Sequence, residues 1–126
     1  MKMNKIRVNT NSKNYYILVG RNLIEKIDKI FNDNNIHFEK CLIVSDSNIP
    51  NKFKKTLYKK LKSKKILKVD IFASEKNKSH KTVEKIHEIL FNNRFNREDC
   101  VISFGGGIIG DLVGFASSTF KRGIKF

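Results

Sequence analysis

One stretch constrains this chain more than any other: Gly105-Gly106-Gly107-Ile108-Ile109-Gly110-Asp111, set between the apolar run Val101-Ile102-Ser103-Phe104 and the long apolar segment Ile108 to Phe120. The order is strand, glycine turn, buried helix, and the glycines fit G-x-G-x-x-G in the context that a nucleotide site requires. Without Cβ atoms the backbone turns tightly and lets a pyrophosphate come close. Unpaired N–H groups and the positive end of the following helix then meet its charge. The same glycines also suit a sharp turn with close helix-strand packing and no ligand. Two details depart from the ordinary dinucleotide fold. The loop follows a late strand, and the sequence ends before an acidic ribose ligand about 20 residues further on could appear.

The rest of the chain supplies the context of that loop. Ile6 to Val8 and Tyr15 to Val19 read as strands of an opening hairpin joined by the polar Asn9 to Asn14. Leu23, Ile24, Ile27, Ile30 and Phe31 fall on one face of a helix over residues 23–31. Leu42 to Val44 is an uninterrupted apolar run, as expected of a strand covered on both faces. Pro50 suits the first turn of a helix striped by Phe53, Leu57, Tyr58 and Leu61, with its lysines facing water. A strand within Ile66 to Phe72, a polar loop from Ser74 to Lys81, and a helix capped by Thr82 and carrying Val83, Ile86, Ile89 and Leu90 follow. Strand-helix repeats of this kind predict an α/β fold: one Rossmann-like parallel sheet flanked by helices, with an N-terminal hairpin. A single domain over residues 1–126 is expected. Arg122 to Phe126 reads as the start of another strand, so that domain is expected to be truncated at its C-terminal edge.

Composition narrows the function classes. The 126 residues are 40% hydrophobic with ten Phe, enough for a core that needs no disulfide or metal. No apolar run has the length of a membrane span, and Met-Lys-Met-Asn-Lys at the start lacks the apolar stretch of a signal peptide, so a cytoplasmic protein without membrane association is expected. The formal charge is +14 and the pI about 9.9, with lysines dense between Lys52 and Lys65, the electrostatic footprint of a nucleic-acid binder. Against that, the charge comes from 21 Lys and only 5 Arg, and Lys, like the 14 Asn and 16 Ile, is an abundant type with AT-rich codons. Base recognition favours Arg and exposed interleaved aromatics, so no nucleic-acid partner is expected. Cys41 and Cys100 sit among apolar neighbours and read as reduced core thiols. His37, His80 and His87 lack metal-ligand spacing, and Ser117-Ser118-Thr119 lacks a nucleophile elbow, reading instead as small packing residues.

The remaining candidates lie in strand-to-helix loops. Asp46 and Asn48 follow one strand, and Glu75 and Lys78 follow another. In an open parallel sheet such loops share one crevice with the glycine loop. A carboxylate can accept from ribose hydroxyls, Asn48 can donate and accept, and Lys78 can complement phosphate. The same residues also serve as ordinary caps and turns. Asp111, just after the glycines, is placed to favour the helix dipole, to orient a ligand, or both.

With those residues in view, the sequence resembles 3-dehydroquinate synthase, a member of the sugar-phosphate cyclase superfamily, in its N-terminal NAD-binding portion. Ser103-Phe104-Gly105-Gly106-Gly107-Ile108-Ile109-Gly110-Asp111-Leu112-Val113-Gly114-Phe115-Ala116 and Thr119-Phe120-Lys121-Arg122-Gly123-Ile124 carry the resemblance most strongly. Glu75-Lys76-Asn77-Lys78-Ser79 resembles the family's Gly-Glu-x-x-Lys-Ser element with Ser74 in the glycine's place, and Ser45-Asp46-Ser47-Asn48 its Asp-x-Asn loop. The resemblance implies that Asp46, Asn48, Glu75, Lys78, Gly106, Gly107, Ile108 and Asp111 contact NAD and that Arg122 helps bind substrate phosphate or carboxylate. It further implies a carbon-oxygen (phosphate) lyase of the shikimate route to aromatic amino acids, which converts 3-deoxy-D-arabino-heptulosonate 7-phosphate to 3-dehydroquinate and phosphate. NAD there is a recycled catalyst, and a divalent metal, zinc or cobalt, polarises the oxidised carbon's oxygen. The family's ligands for that metal, a Glu and two His of a helical C-terminal domain, and its Pro-Thr-Thr segment have no counterpart in these 126 residues. No catalytic or metal-ligating residue is therefore assigned here, and the chain alone is expected to be inactive. Its expected partners are a small sugar phosphate and either a second copy or a separate C-terminal chain. The alternatives are another sugar-phosphate cyclase, a metal-dependent polyol dehydrogenase, or an inactive fragment or basic binding module.

Overall fold

The computed structural model describes residues 3–126. Its centre is β3 (Lys40–Asp46), in which Cys41, Leu42, Ile43 and Val44 are all fully buried. Such a strand needs neighbours on both edges and cover on both faces. β4 (Lys65–Ile71) lies parallel on one edge, in register Cys41 to Ile66, and β5 (Cys100–Phe104) lies parallel on the other, in register Cys41 to Cys100.

Alternation along β3 divides the core into two layers. Leu42 and Val44 point with Val101 toward α3 (His80–Asn92) and α4 (Gly107–Thr119), meeting Val83, Ile86, Leu90, Ile109, Val113 and Ala116 around Phe95. Cys41 and Ile43 point with Cys100 to the opposite face, against Phe38, Leu57 and Leu61, with Ile24, Ile27 and Phe31 at the margin. Each large apolar side chain buried in these layers contributes on the order of 1.5–3 kcal/mol. The α/β arrangement expected from the sequence is thus present. Val101 N also donates to Lys125 O at 2.8 Å, so the last residues begin to pair alongside β5, as the strand-like pattern of Arg122 to Phe126 suggested.

The N-terminal hairpin is present as β1 (Asn4–Asn9) and β2 (Asn14–Val19), antiparallel from Asn4 opposite Val19 to Asn9 opposite Asn14. It forms a sheet of its own, and its Ile6, Tyr15, Tyr16, Ile17 and Val19 are exposed.

Four local expectations are corrected. The helix over 23–31 divides: Asn22 enters in the left-handed region without a side-chain cap, Leu23–Lys26 winds as a tighter 3-10 turn, and α1 occupies Ile27–Asp33. Pro50 stands just before α2 (Asn51–Lys60) with extended ψ, outside its first turn. Ser79, not Thr82, caps α3, its hydroxyl accepting from Thr82 N at 3.4 Å. Finally, the lysines of α2 are not all wet: Lys54 is only 4% exposed, and its ammonium meets Asp70 of β4 at 3.0 Å.

The two cysteines, distant in sequence, are opposite each other in β3 and β5 and are free thiols. Burial pushes Cys41 up to about 11 and Cys100 up to about 12. Both should resist thiol-disulfide reagents at about pH 8 in the native state and react on unfolding, since the thiolate is the nucleophile. Between about pH 9 and these raised values the unfolded chain gives up thiol protons that the native chain keeps, so stability should fall as pH rises. Rapid labelling of the native protein would contradict this reading.

Candidate functional site

The chain passes from β3 to β4 on one edge and returns to β5 on the other, so the strand order is β4-β3-β5. This reversal opens a crevice at the C-terminal ends of β3 and β5, where ligands settle in open α/β sheets. The glycine loop leaves β5 at that point and Asp46 ends β3 beside it. A Cβ on Gly105 would lie 2.9 Å from Cβ and Cγ1 of the fully buried Ile109 and 3.2 Å from Asp46 Cβ. Gly105 is therefore a contact glycine that lets the loop press against the end of β3.

Gly106 and Gly107 differ from it. A Cβ on either would meet nothing within 4 Å, so the space above this backbone is open. Gly106 caps α4 in an extended conformation with no side-chain hydrogen bond, and the first bond across the turn runs from Gly110 N to Gly106 O at 3.0 Å. The N–H groups of Gly107, Ile108 and Ile109 precede that bond and have no intrahelical acceptor. They present donors and the positive end of a 13-residue helix to the open space. An exposed backbone cradle with uncapped donors fits the pyrophosphate of a dinucleotide.

Asp46 organises the neighbouring loop. Its Oδ1 accepts from Asn48 N at 2.9 Å, from Asn48 Nδ2 at 3.0 Å and from Ala73 N at 3.5 Å, joining the turn after β3 to the segment after β4. These bonds all use Oδ1, which leaves Oδ2 with acceptor capacity for a ligand. The ordinary turn role and the ligand role of Asp46 are thus compatible.

Glu75 opens a 3-10 turn, Glu75–Asn77, and is exposed. Lys78 follows, and its Nζ lies 2.8 Å from Asp111 Oδ2 on α4, bridging the two loops across the crevice mouth. Hydrogen bonding to Asp111, then the charges of Asp111 and Glu75, raise the Lys78 ammonium above its ordinary pKa. Both side chains are well exposed, so the pair is screened and can open to a charged ligand. Asp111 lies beyond the first turn of α4, which corrects its expected place at the helix dipole: its partner here is Lys78.

The structure thus brings Asp46, Asn48 and the glycine loop together, and pairs Lys78 with Asp111 beside them. It does not bring Arg122 there. Arg122 follows the other end of α4, a helix length of about 18 Å from the glycines. It is exposed, with φ 63°, between Lys121 at φ 47° and Gly123 at φ 115°.

Three side chains, Ser74, Asn77 and His87, make ties that the sequence did not show. Ser74 is extended, which any residue tolerates, and its Oγ accepts from Asn77 N at 3.2 Å, so serine in place of glycine adds a cap. Asn77 in turn donates from Nδ2 to Phe72 O at 2.8 Å. The Ser-x-x-Asn spacing was the available signal. His87 Nε2 stands 2.9 Å from Ala116 O and 3.1 Å from Thr119 Oγ1, a structural tie between α3 and α4. Among the described residues no group of three His, Cys, Asp or Glu is placed to hold a metal ion, and no helix is long and apolar enough to cross a membrane.

A family model described as 3-dehydroquinate synthase N-terminal matches residues 68–126. The 3-dehydroquinate synthase of Pelagibacter ubique (strain HTCC1062) is 48% identical over 126 residues, all of this chain and 34% of that protein. That of Sulfurimonas denitrificans is 39% identical over 92 residues, 72% of this chain and 26% of that protein. The chain therefore spans about a third of the length of such relatives. Among solved structures, 2-deoxy-scyllo-inosose synthase complexed with carbaglucose-6-phosphate, NAD+ and Co2+ shares the fold at TM-score 0.82 and 21% identity, over 96% of this chain and 33% of that one. The 2-epi-5-epi-valiolone synthase ValA of Streptomyces hygroscopicus subsp. jinggangensis 5008, with NAD+ and Zn2+ bound, matches at TM-score 0.63 and 25% identity, over 69% of this chain and 25% of that one.

Proposed function

Since the chain belongs to the 3-dehydroquinate synthase family, in its N-terminal portion, we propose that residues 1–126 form the NAD-binding domain of such an enzyme, acting on 3-deoxy-D-arabino-heptulosonate 7-phosphate. The observation that carries this reading is the uncapped N-terminus of α4 over an open glycine backbone, held against Asp46 where the strand order reverses. The N–H groups at Gly107 and Ile108, with Gly106 leaving room, would hold the pyrophosphate. Asp46 Oδ2 and Asn48 would accept from and donate to ribose. Glu75, Lys78 and Asp111 would complete the mouth of the crevice, the Lys78 ammonium turning from Asp111 toward ligand phosphate. When bound, NAD supplies a hydride acceptor that is restored within the reaction cycle.

Arg122, displaced from the crevice, would reach substrate phosphate or carboxylate on a separate wall of the site. The zinc or cobalt of the reaction would take its ligands from the two thirds of the relatives' length that this chain does not span, supplied in the same polypeptide, a second copy or a separate chain. A cytoplasmic location accords with this biosynthetic role.

Gly107→Asp tests the cofactor reading cleanly. Its side chain enters open space, and a carboxylate at a helix N-terminus favours the fold. It would, however, repel a pyrophosphate, so NAD affinity measured by calorimetry should fall roughly tenfold or more, about 1.4 kcal/mol, with the melting temperature kept or raised. Duplex DNA titrated in parallel should associate weakly and be lost with added salt. Unchanged NAD binding in the variant, or salt-resistant DNA binding by the parent chain, would refute the proposal.

A further inference from the structure

Lys54 sits where no solvated lysine belongs. It is 4% exposed, and its ion-pair partner, Asp70 at 3.0 Å, is itself half in solvent. A buried ammonium has three N–H donors to satisfy and is costly to leave under-partnered. Its surroundings are more cationic still. Lys55 and Lys68 line the same cavity of about 490 Å³ between α2 and the outer edge of β4, together with Asn51, Tyr58 and Asp70. The Lys68 ammonium rests 4.1 Å from the centre of the Tyr58 ring, which holds it at the rim.

We propose that this cavity is a second anion site, one that takes the phosphate group of a small phosphomonoester. Three lysines against one aspartate leave two positive charges to be met, which matches a phosphate dianion better than a single carboxylate. The buried Lys54 would hold the phosphate from below, while Lys55 and Lys68 close over it from the rim. The site is separate from the glycine crevice: it lies outside β4 at the edge of the sheet, whereas the crevice opens between β3 and β5. It therefore stands or falls independently of NAD binding.

The test is a nuclear magnetic resonance titration of the whole chain with inorganic phosphate and with glycerol 3-phosphate, at ionic strength held constant with chloride. Saturable shifts are expected at the amides of Lys54, Lys55 and Lys68 to Asp70. Affinity for glycerol 3-phosphate should increase as its second proton leaves, near about pH 6. The double variant Lys55→Gln, Lys68→Gln changes only exposed side chains, and should weaken binding by about tenfold or more. Lys54→Met should abolish it, and a melting curve checks that this variant folds. Absence of saturable shifts, shifts confined to Gly105–Ile109, or a double variant that binds as the parent does would each overturn the proposal.

Discussion

Gly105→Ala is expected to cost about 1–3 kcal/mol of stability, the usual penalty for forcing a methyl group into packed surroundings. The methyl would stand 2.9 Å from two carbons of Ile109 and 3.2 Å from Asp46 Cβ. Ile109 is fully buried among Leu42, Val113 and Ala116 and cannot retreat. Asp46 is held by its bonds to Asn48 and Ala73. The strain must therefore separate the glycine loop from the end of β3, and NAD affinity should drop together with the melting temperature, which should fall by roughly 4 °C per kcal/mol. Gly106→Ala is the matched control: its methyl enters open space, so its melting temperature should stay near the parent's. Equal melting temperatures for Gly105→Ala and the parent, measured by calorimetry, would show that the loop does not rest on β3 as described.

The second large effect concerns turnover. Supplied with 3-deoxy-D-arabino-heptulosonate 7-phosphate, NAD and zinc or cobalt, the 126-residue chain by itself should release no phosphate and form no 3-dehydroquinate. The expectation rests on the chain's spanning about a third of the length of the relatives it matches. Loss of metal assistance alone removes several kcal/mol of transition-state stabilisation. NAD binding by the same preparation would show that the fold and the cofactor site are intact while chemistry is missing. Adding a polypeptide homologous to the remaining two thirds of the relatives should then restore product. Measurable 3-dehydroquinate from the short chain alone would mean that its own residues carry the chemistry, and the assignment of roles would have to be redrawn.

Much of this was legible along the chain. The glycine loop, the apolar strand Leu42 to Val44 and the stripe Val83, Ile86, Leu90 could be read directly, because each depends on local geometry: a missing Cβ, continuous burial, or a 3.6-residue period. The cysteines could be read as core residues for the same reason. The candidates Asp46, Asn48, Glu75 and Lys78 were identifiable as residues of loops that share a crevice with the glycines, but which side chains touch was not.

Only the tertiary structure decided who meets whom. That β5 returns to the opposite side of β3 from β4 places Asp46 against Gly105, and no local pattern encodes a choice of strand neighbour. The same holds for Lys78 reaching Asp111, for Arg122 lying a helix length from the glycines, and for Cys41 facing Cys100 across 59 residues of sequence. Lys54 shows the limit most sharply. In a lysine-rich helix it was indistinguishable from its wet neighbours, and only the tertiary packing around it took it out of water. Sequence periodicity determines which face of an element is apolar; non-local packing of those faces determines which polar groups are carried inside with them.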